Sequence, residues 1–277
     1  MRPDFPRRLQ RATDSIRART DARPVLGLVA GTGLAPFLNE IETAARIPYG
    51  EIADFPVSTA PGHAGELLLG HLRGRPVAGL SGRLHAYEGW HPDDIVLPVY
   101  VLRALGCETL VVTNAAGGLN PAFPVPALMA IADHINLTGL NPLAGPNDPA
   151  LGLRFPDLSR AYDPDLLRAV QGAARALGID LRTGVYAGCH GPALETSAER
   201  RFMRLVGGDA VGMSTVLEVV AANHAGMRVL GLSAIANAAT GGPDQQPDTV
   251  EQIVAATEAI AGTIGTLIAR MLDSGDL

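Results

Sequence analysis

Short apolar runs alternate along the chain with stretches in which apolar positions recur every three to four residues, and the two patterns predict strands and helices in turn. The run VLGLVA at Val25–Ala30, bounded by proline and glycine, predicts a buried strand. Further strands are predicted at Glu66–Leu72, Arg75–Leu80, Thr109–Thr113, Leu128–Ile135, Thr183–Ala187 and Arg228–Ala236. Helical periodicity is found at Pro92–Leu105, Pro164–Leu177, Ser197–Val206, Thr215–Ala225 and Val250–Leu272. Residues 1–22 form an N-terminal helical segment in which Leu9, Ile16 and alanines oppose many arginines. Strands alternating with helices predict an α/β fold around a largely buried sheet. The stretch Asn141–Ser159 is rich in proline and glycine and reads as an ordered functional loop, not a linker, so one domain spanning 1–277 is expected.

Composition narrows the chemistry. Hydrophobic residues make up 47% and charged residues 18%, enough apolar material for a sizeable core and a hint that other subunits cover part of the surface. The net charge is −6 and every basic residue is arginine. The absence of lysine excludes a lysine Schiff base and a phosphate loop of the GxxxxGKS/T kind. An acidic balance without a basic run argues against a nucleic-acid partner. Cys107 and Cys189 lack metal-ligand spacing, and the seven histidines show no HExxH pattern, so neither a disulfide framework nor a metal site is expected. The first residues lack the apolar segment of a secretory signal, and no apolar run reaches membrane-spanning length; a cytoplasmic protein is the expectation.

Polar residues collect where strands end, the usual ligand position in an α/β sheet. The segment SGRLHAYEGW, Ser81–Trp90, brings together an arginine fork, an imidazole and a phenol. GTG at Gly31–Gly33 offers backbone approach to an anion and the Thr32 hydroxyl. PGHAGE carries His63; NAAGGLNP at Asn114–Pro121 offers backbone N–H groups near Ala115; VGMST places Ser214 at the N-cap of the following helix. Each of these alone is equally a tight turn, a core histidine or a helix cap. Together Thr32, His63, Arg83, His85, the Ala115 N–H and Ser214 describe an anion pocket better suited to free phosphate than to a nucleoside triphosphate.

The ordered set GTG, GHAGE, GRLHAYEGW, TNAAGGLNP, DHIN, GPND, RFPDLSRAYD, GPALETSAE, DAVGMSTVLE and AIAN, covering roughly residues 20 to 270, resembles the trimeric, low-molecular-mass purine nucleoside phosphorylases. PVSTAPGHAGELLLGHL is most similar to the bacterial branch that includes inosine–guanosine and xanthosine phosphorylases. The resemblance implies a central mixed sheet, partly barrel-like, flanked by helices, and a homotrimer with active sites near subunit interfaces. It implies reversible phosphorolysis of 6-oxopurine nucleosides, with phosphate as co-substrate and no cofactor. Carried over by motif position, Thr32, His63, Arg83, His85, Ala115 and Ser214 hold phosphate. Tyr87, Met213 and Thr249 contact ribose, with Phe155 lent by a neighbouring subunit. Glu195, Asn237, Val211 and Leu194 meet the purine, and Asn237, Glu195 and His85 form the catalytic set. Glu88 receives no role at the site and reads as a neighbour that orients its surroundings.

Three positions depart from the family pattern. Leu194 stands where a phenylalanine is usual, Cys189–His190 place an extra imidazole near the purine pocket, and the histidine that usually reaches the 5′-hydroxyl is replaced by Thr249, or by Val250 if the alignment slips by one. A valine there favours a 5′-deoxy or 5′-methylthio group, because a hydroxyl against it has no partner. The competing readings are a 5′-methylthioinosine or methylthioadenosine phosphorylase, and a non-catalytic nucleoside or phosphate binder. A serine hydrolase built on Ser81 or Ser214 is disfavoured because neither lies in GxSxG.

Overall fold

In the computed structural model, residues 1–60, 64–243 and 245–277 are described. Nine strands form one mixed sheet: β1 (Leu26–Ala30), β2 (Glu42–Pro48), β3 (Glu66–Leu72), β4 (Arg75–Ser81), β5 (Thr109–Gly118), β6 (Ala127–Asn136), β7 (Leu181–Gly188), β8 (Ala210–Gly212) and β9 (Arg228–Ala238). Their order is β2-β3-β4-β1-β5-β8-β7-β6-β9, and β9 also pairs with β5. That extra pairing closes β5, β8, β7, β6 and β9 into a small barrel, with β1 to β4 continuing from it as an open sheet. The co-directional strands β4, β1, β5 and β9 bring their carboxyl ends to one side of the molecule.

Six helices cover the sheet: α1 (Phe5–Arg17), α2 (Pro92–Leu105), α3 (Pro164–Leu177), α4 (Ser197–Leu205), α5 (Val216–His224) and α6 (Val250–Asp273). One apolar cluster joins α1, α2 and α5 to one face, and α3 and α6 pack against the other. α1 buries Phe5, Leu9, Ala12 and Ile16, and the Phe5 ring meets Tyr100 of α2 edge-on at 5.2 Å. Arg2 and Arg8 pair with Asp94, at the start of α2. α6 corrects the expectation that no apolar run reaches membrane-spanning length, because its 24 residues are long and apolar enough by composition. Here Ile260, Ile264, Leu267 and Ile268 are buried against the sheet, as in a core helix.

Two strands escape the sequence pattern. β2 is an edge strand exposed along most of its length, with a register shift between Thr43 and Ala45, so it shows no apolar alternation. β8 has only three residues, too few to carry a period. The expected loop at Asn114–Gly118 is strand: β5 runs on through Gly117 and Gly118, which face Val211 and Ala210 of β8 and also pair with β9.

Candidate active site

The polar groups converge on a cavity of about 380 Å³ at the carboxyl ends of β1, β4 and β9, lined by Thr32, Arg83, His85, Tyr87, Ala115, Glu195, Met213, Ser214 and Asn237, among others. A larger open groove of about 460 Å³ beside α3 holds Asp133, Arg160 and Arg168, but none of the convergent residues, so the chemistry is assigned to the smaller cavity.

Arg83 follows β4 and is 4% exposed. Its Nε donates to Glu218 Oε1 at 3.1 Å, and Nη1 donates to Thr113 O at 2.5 Å and Ser214 Oγ at 3.3 Å. Its buried Nη2 has no hydrogen-bond partner among the described residues, a donor left over for a ligand in this cavity. Gly31 explains why this arginine fits: a Cβ there would lie 2.8 Å from Thr113 O and 3.3 Å from Arg83 Nη1. Gly33 sits at φ +72°, and a Cβ would meet Thr257 Oγ1 of α6 at 2.1 Å. The two glycines of GTG therefore seat Thr32 by close packing within the chain itself, a tighter requirement than backbone approach to an anion.

The turn after β8 corrects the expected cap. Thr215, not Ser214, is the N-cap of α5, and Glu218 completes a capping box by accepting from Thr215 N at 3.1 Å. Thr215 has φ +69°, a strained value for a β-branched residue. Asn114 Nδ2 holds its hydroxyl at 2.9 Å. Ser214 is thereby left in the cavity lining, its N–H donating to Tyr186 Oη at 3.3 Å.

His85 stacks on Tyr87 with ring centroids 4.7 Å apart. Its backbone N–H and Nδ1 both engage Glu88 Oε1, at 2.8 and 3.0 Å. Burial, with Arg83 nearby, pushes the imidazole down to about 4, against the pull of Glu88. For Glu88, burial acts upward, but the Thr59 N–H and hydroxyl and His85 override it and hold the carboxyl at about 2. The imidazole is therefore neutral at pH 7, its Nδ1–H committed to an ionised Glu88.

Asn237 and Glu195 come from two other elements. Between Ala116 and Gly117 the β5–β9 register shifts, so that Gly117 faces Asn237 instead of Ala236, and this bulge re-aims Asn237 into the cavity. Glu195 lies immediately before Thr196, the N-cap of α4, whose capping box with Glu199 fixes where the helix starts. Along β5, the Arg83 contact at Thr113 and the Asn237 partner at Gly117 are four residues apart, a span of about 13 Å.

Val211, Leu194, Pro192, Val250 and Ile253 supply apolar walls. Thr249 is the N-cap of α6, its Oγ1 accepting from Gln252 N at 3.3 Å, and it is Val250, one residue on, that lines the cavity. His190 is exposed, with Nδ1 against Gly191 O, and Cys189 Sγ lies 3.5 Å from Met203 Sδ; neither lines the cavity. Phe155 is 85% exposed and Arg154 lies over its ring, outside the cavity within this chain. His63 lies outside the described residues. Sequence reasoning did not find Glu218, Asn114, Arg200 or Asp248; only Glu218 left a signal, as the acidic partner in TVLE.

A closed barrel flanked by helices, with the donors Thr32, Arg83 and Ser214 lining one cavity together with the Glu195 carboxylate and the Asn237 amide, is the arrangement of a nucleoside-phosphorylase type of protein. Comparison with known proteins agrees. Residues 25–273 match the phosphorylase superfamily. Purine nucleoside phosphorylase 1 of Geobacillus stearothermophilus is 50% identical over 252 residues, 91% of this chain and 92% of that protein. Its counterpart in Bacillus subtilis is 49% identical over 91% and 93%. The Schistosoma mansoni purine nucleoside phosphorylase structure in complex with inosine superposes with a TM-score of 0.91 at 35% identity, covering 96% of this chain and 95% of that one. The chain belongs to the phosphorylase superfamily and, within it, to the low-molecular-mass purine nucleoside phosphorylases.

Proposed function

We propose that the chain catalyses the reversible phosphorolysis of 6-oxopurine nucleosides, inosine and guanosine first, with inorganic phosphate as co-substrate and no cofactor. The observation that carries this reading is one cavity lined both by Arg83, whose Nη2 has no partner among the described residues, and by Asn237, the two anchored on β5 at Thr113 and Gly117, four residues or about 13 Å of strand apart. The curated relatives named as purine nucleoside phosphorylases, the Schistosoma mansoni enzyme's complex with inosine and a Schistosoma enzyme's complex with guanosine support it.

In this reading phosphate sits against Arg83, Ser214, Thr32 and His85 and attacks C1′ as the bond to N9 breaks. Tyr87 and Met213 flank the sugar. The transition state is ribosyl-cation-like and the base leaves carrying negative charge, so the useful interactions are those that strengthen as charge develops. The Asn237 amide donates to N7, and Glu195 accepts from N1–H and from a 2-amino group. That pair favours hypoxanthine and guanine over adenine, and xanthosine is the natural extension to test.

A homotrimer in which Phe155 reaches a neighbouring site, a cytoplasmic location and a role in purine salvage complete the reading. The exposed apolar side chains Leu153 and Phe155 support the subunit contact. Base release from inosine, guanosine, xanthosine and adenosine, with and without phosphate, tests the whole. Release that proceeds equally well without phosphate refutes phosphorolysis in favour of hydrolysis.

A further inference from the structure

α4 carries three arginines that reach the segment between β9 and α6. Arg201 Nη1 donates to Gly241 O at 2.8 Å, Arg204 Nη1 to Thr240 O at 3.4 Å and Arg200 Nη2 to Asp248 Oδ2 at 2.9 Å. The segment is pressed against the helix: a Cβ on Gly241 would meet Ser197 O at 2.4 Å. Among the three, Arg200 is buried, 4% exposed, while Arg201 and Arg204 lie at the surface.

Arg200 has a second acidic neighbour. Its Nε stands 3.5 Å from Glu195 Oε2, and the two side chains are 5% and 8% exposed. That Nε–H has no hydrogen-bond partner among the described residues. Glu195 and Asp248 both line the cavity, and Arg200 does not. One guanidinium thus contacts two carboxylates that both line the cavity. A buried guanidinium is tolerated when acceptors match its fork, and the fork in turn fixes where those acceptors point.

We propose that Arg200 is a positioning residue for purine recognition. It orients the Glu195 carboxylate toward the base and, through Asp248, ties that orientation to the segment that begins after Asn237. The two groups that read the purine come from separate elements, and of the three arginines that join α4 to the chain after β9, Arg200 is the buried one, in contact with both cavity carboxylates. The inference rests on the functional reading above, since the purine contact of Glu195 belongs to that reading.

The test is a double-mutant cycle on the full chain: Arg200→Met, Glu195→Gln and the double variant, measured as kcat/KM on inosine and guanosine. Losing a charge-assisted contact that orients Glu195 is expected to lower kcat/KM about 10- to 100-fold in the otherwise wild-type chain. In the Glu195→Gln background the same substitution is expected to cost less than about threefold, because the contact it supports is already gone. Equal losses in both backgrounds, or no loss in either, overturn the inference. Arg200→Lys keeps the charge but not the planar fork and guards against a Met variant that fails to fold. It is expected to lose at least about fivefold with its melting temperature retained, and a lysine variant equal to wild type overturns the role of the fork. A wild-type chain that releases no base from inosine with phosphate refutes the functional reading itself, whereas an active chain with additive losses refutes only the role of Arg200.

Discussion

Replacing Glu88 by glutamine removes one charge and one acceptor from a position where every oxygen is in use. Oε1 accepts from the His85 N–H at 2.8 Å and from Nδ1 at 3.0 Å, while Oε2 accepts from the Thr59 N–H at 2.6 Å and its hydroxyl at 2.8 Å. A glutamine has one carbonyl oxygen, so its amide NH₂ must face either Thr59 N–H or His85 N–H, donor against donor. The magnitude follows from linkage. A carboxyl carried from its ordinary 4.5 to about 2 by folding represents about 3 kcal/mol at neutral pH, which solvent screening at this loop edge trims to about 1–3 kcal/mol. Because the folded value is the lower one, this stability is complete above pH 4.5 and is lost as pH falls toward 2. Urea unfolding of Glu88→Gln against wild type should therefore show a deficit of about 1–3 kcal/mol at pH 7 that narrows by roughly a third to a half at pH 3.5. Activity should fall about tenfold as His85 loses its fixed tautomer. A deficit below about 0.5 kcal/mol at pH 7, or one that is the same at both pH values, refutes the assignment of Glu88 as the charged anchor of His85.

Asn237→Ala should lose at least about 100-fold in kcat on inosine with KM changed less than about threefold, the pattern of an interaction made in the transition state; unchanged turnover in steady-state assays removes Asn237 from the mechanism. With Val250 in the cavity wall and Thr249 occupied as a cap, inosine and 5′-deoxyinosine should differ less than about tenfold in kcat/KM, and Val250→His should shift the ratio toward inosine. A strong wild-type preference for inosine sinks that idea. Glu218→Gln leaves Arg83 buried without its carboxylate partner, so calorimetry should find a loss of about 3–5 kcal/mol. Added phosphate should then raise the melting temperature of the variant more than that of wild type, because the anion neutralises the stranded cation.

The site was legible in the sequence where one residue type could serve few other purposes. Arg83, His85 and Tyr87 fall in one short segment, and the structure lines the cavity with all three. The core strands were legible because their burial makes them continuously apolar; β2 was not, since an exposed edge strand needs no such run. The one-residue misplacement of the α5 cap has a physical cause: SerThr offers two capping hydroxyls, and the choice between them is made by Glu218 at i+3 from Thr215 and by Asn114 from β5. The ambiguity between Thr249 and Val250 has the same origin, resolved once Thr249 Oγ1 is spent on Gln252 N. Arg200 left no signal, because its partner Asp248 lies 48 residues away and only packing brings them together.

The two halves of the cavity hang on different frames, and this decides how each can change. The half proposed to hold phosphate is built from β1, β4, β5 and the start of α5, where Arg83, Thr215 and Glu218 are almost wholly buried and Gly31 admits no Cβ. A substitution there strands a buried charge or forces backbone apart, so selectivity for the anion is fixed by the same contacts that stabilise the fold. The half proposed to hold the purine rests on a short helix, a strand bulge and the residues Thr240, Gly241 and Asp248, joined by arginine side chains to backbone oxygens and one carboxylate. Leu194 is 46% exposed and Val250 62% exposed, so walls on this side can be exchanged at little cost in stability. Leu194 and Val250, both expected from the sequence as places where the family pattern is broken, lie on this exposed side, while Arg83, His85 and Ser214 line the other. On the proposed function, differences in base and 5′ preference among such chains should therefore arise in the segment before α4 and at the start of α6, with the anion site carried through unchanged.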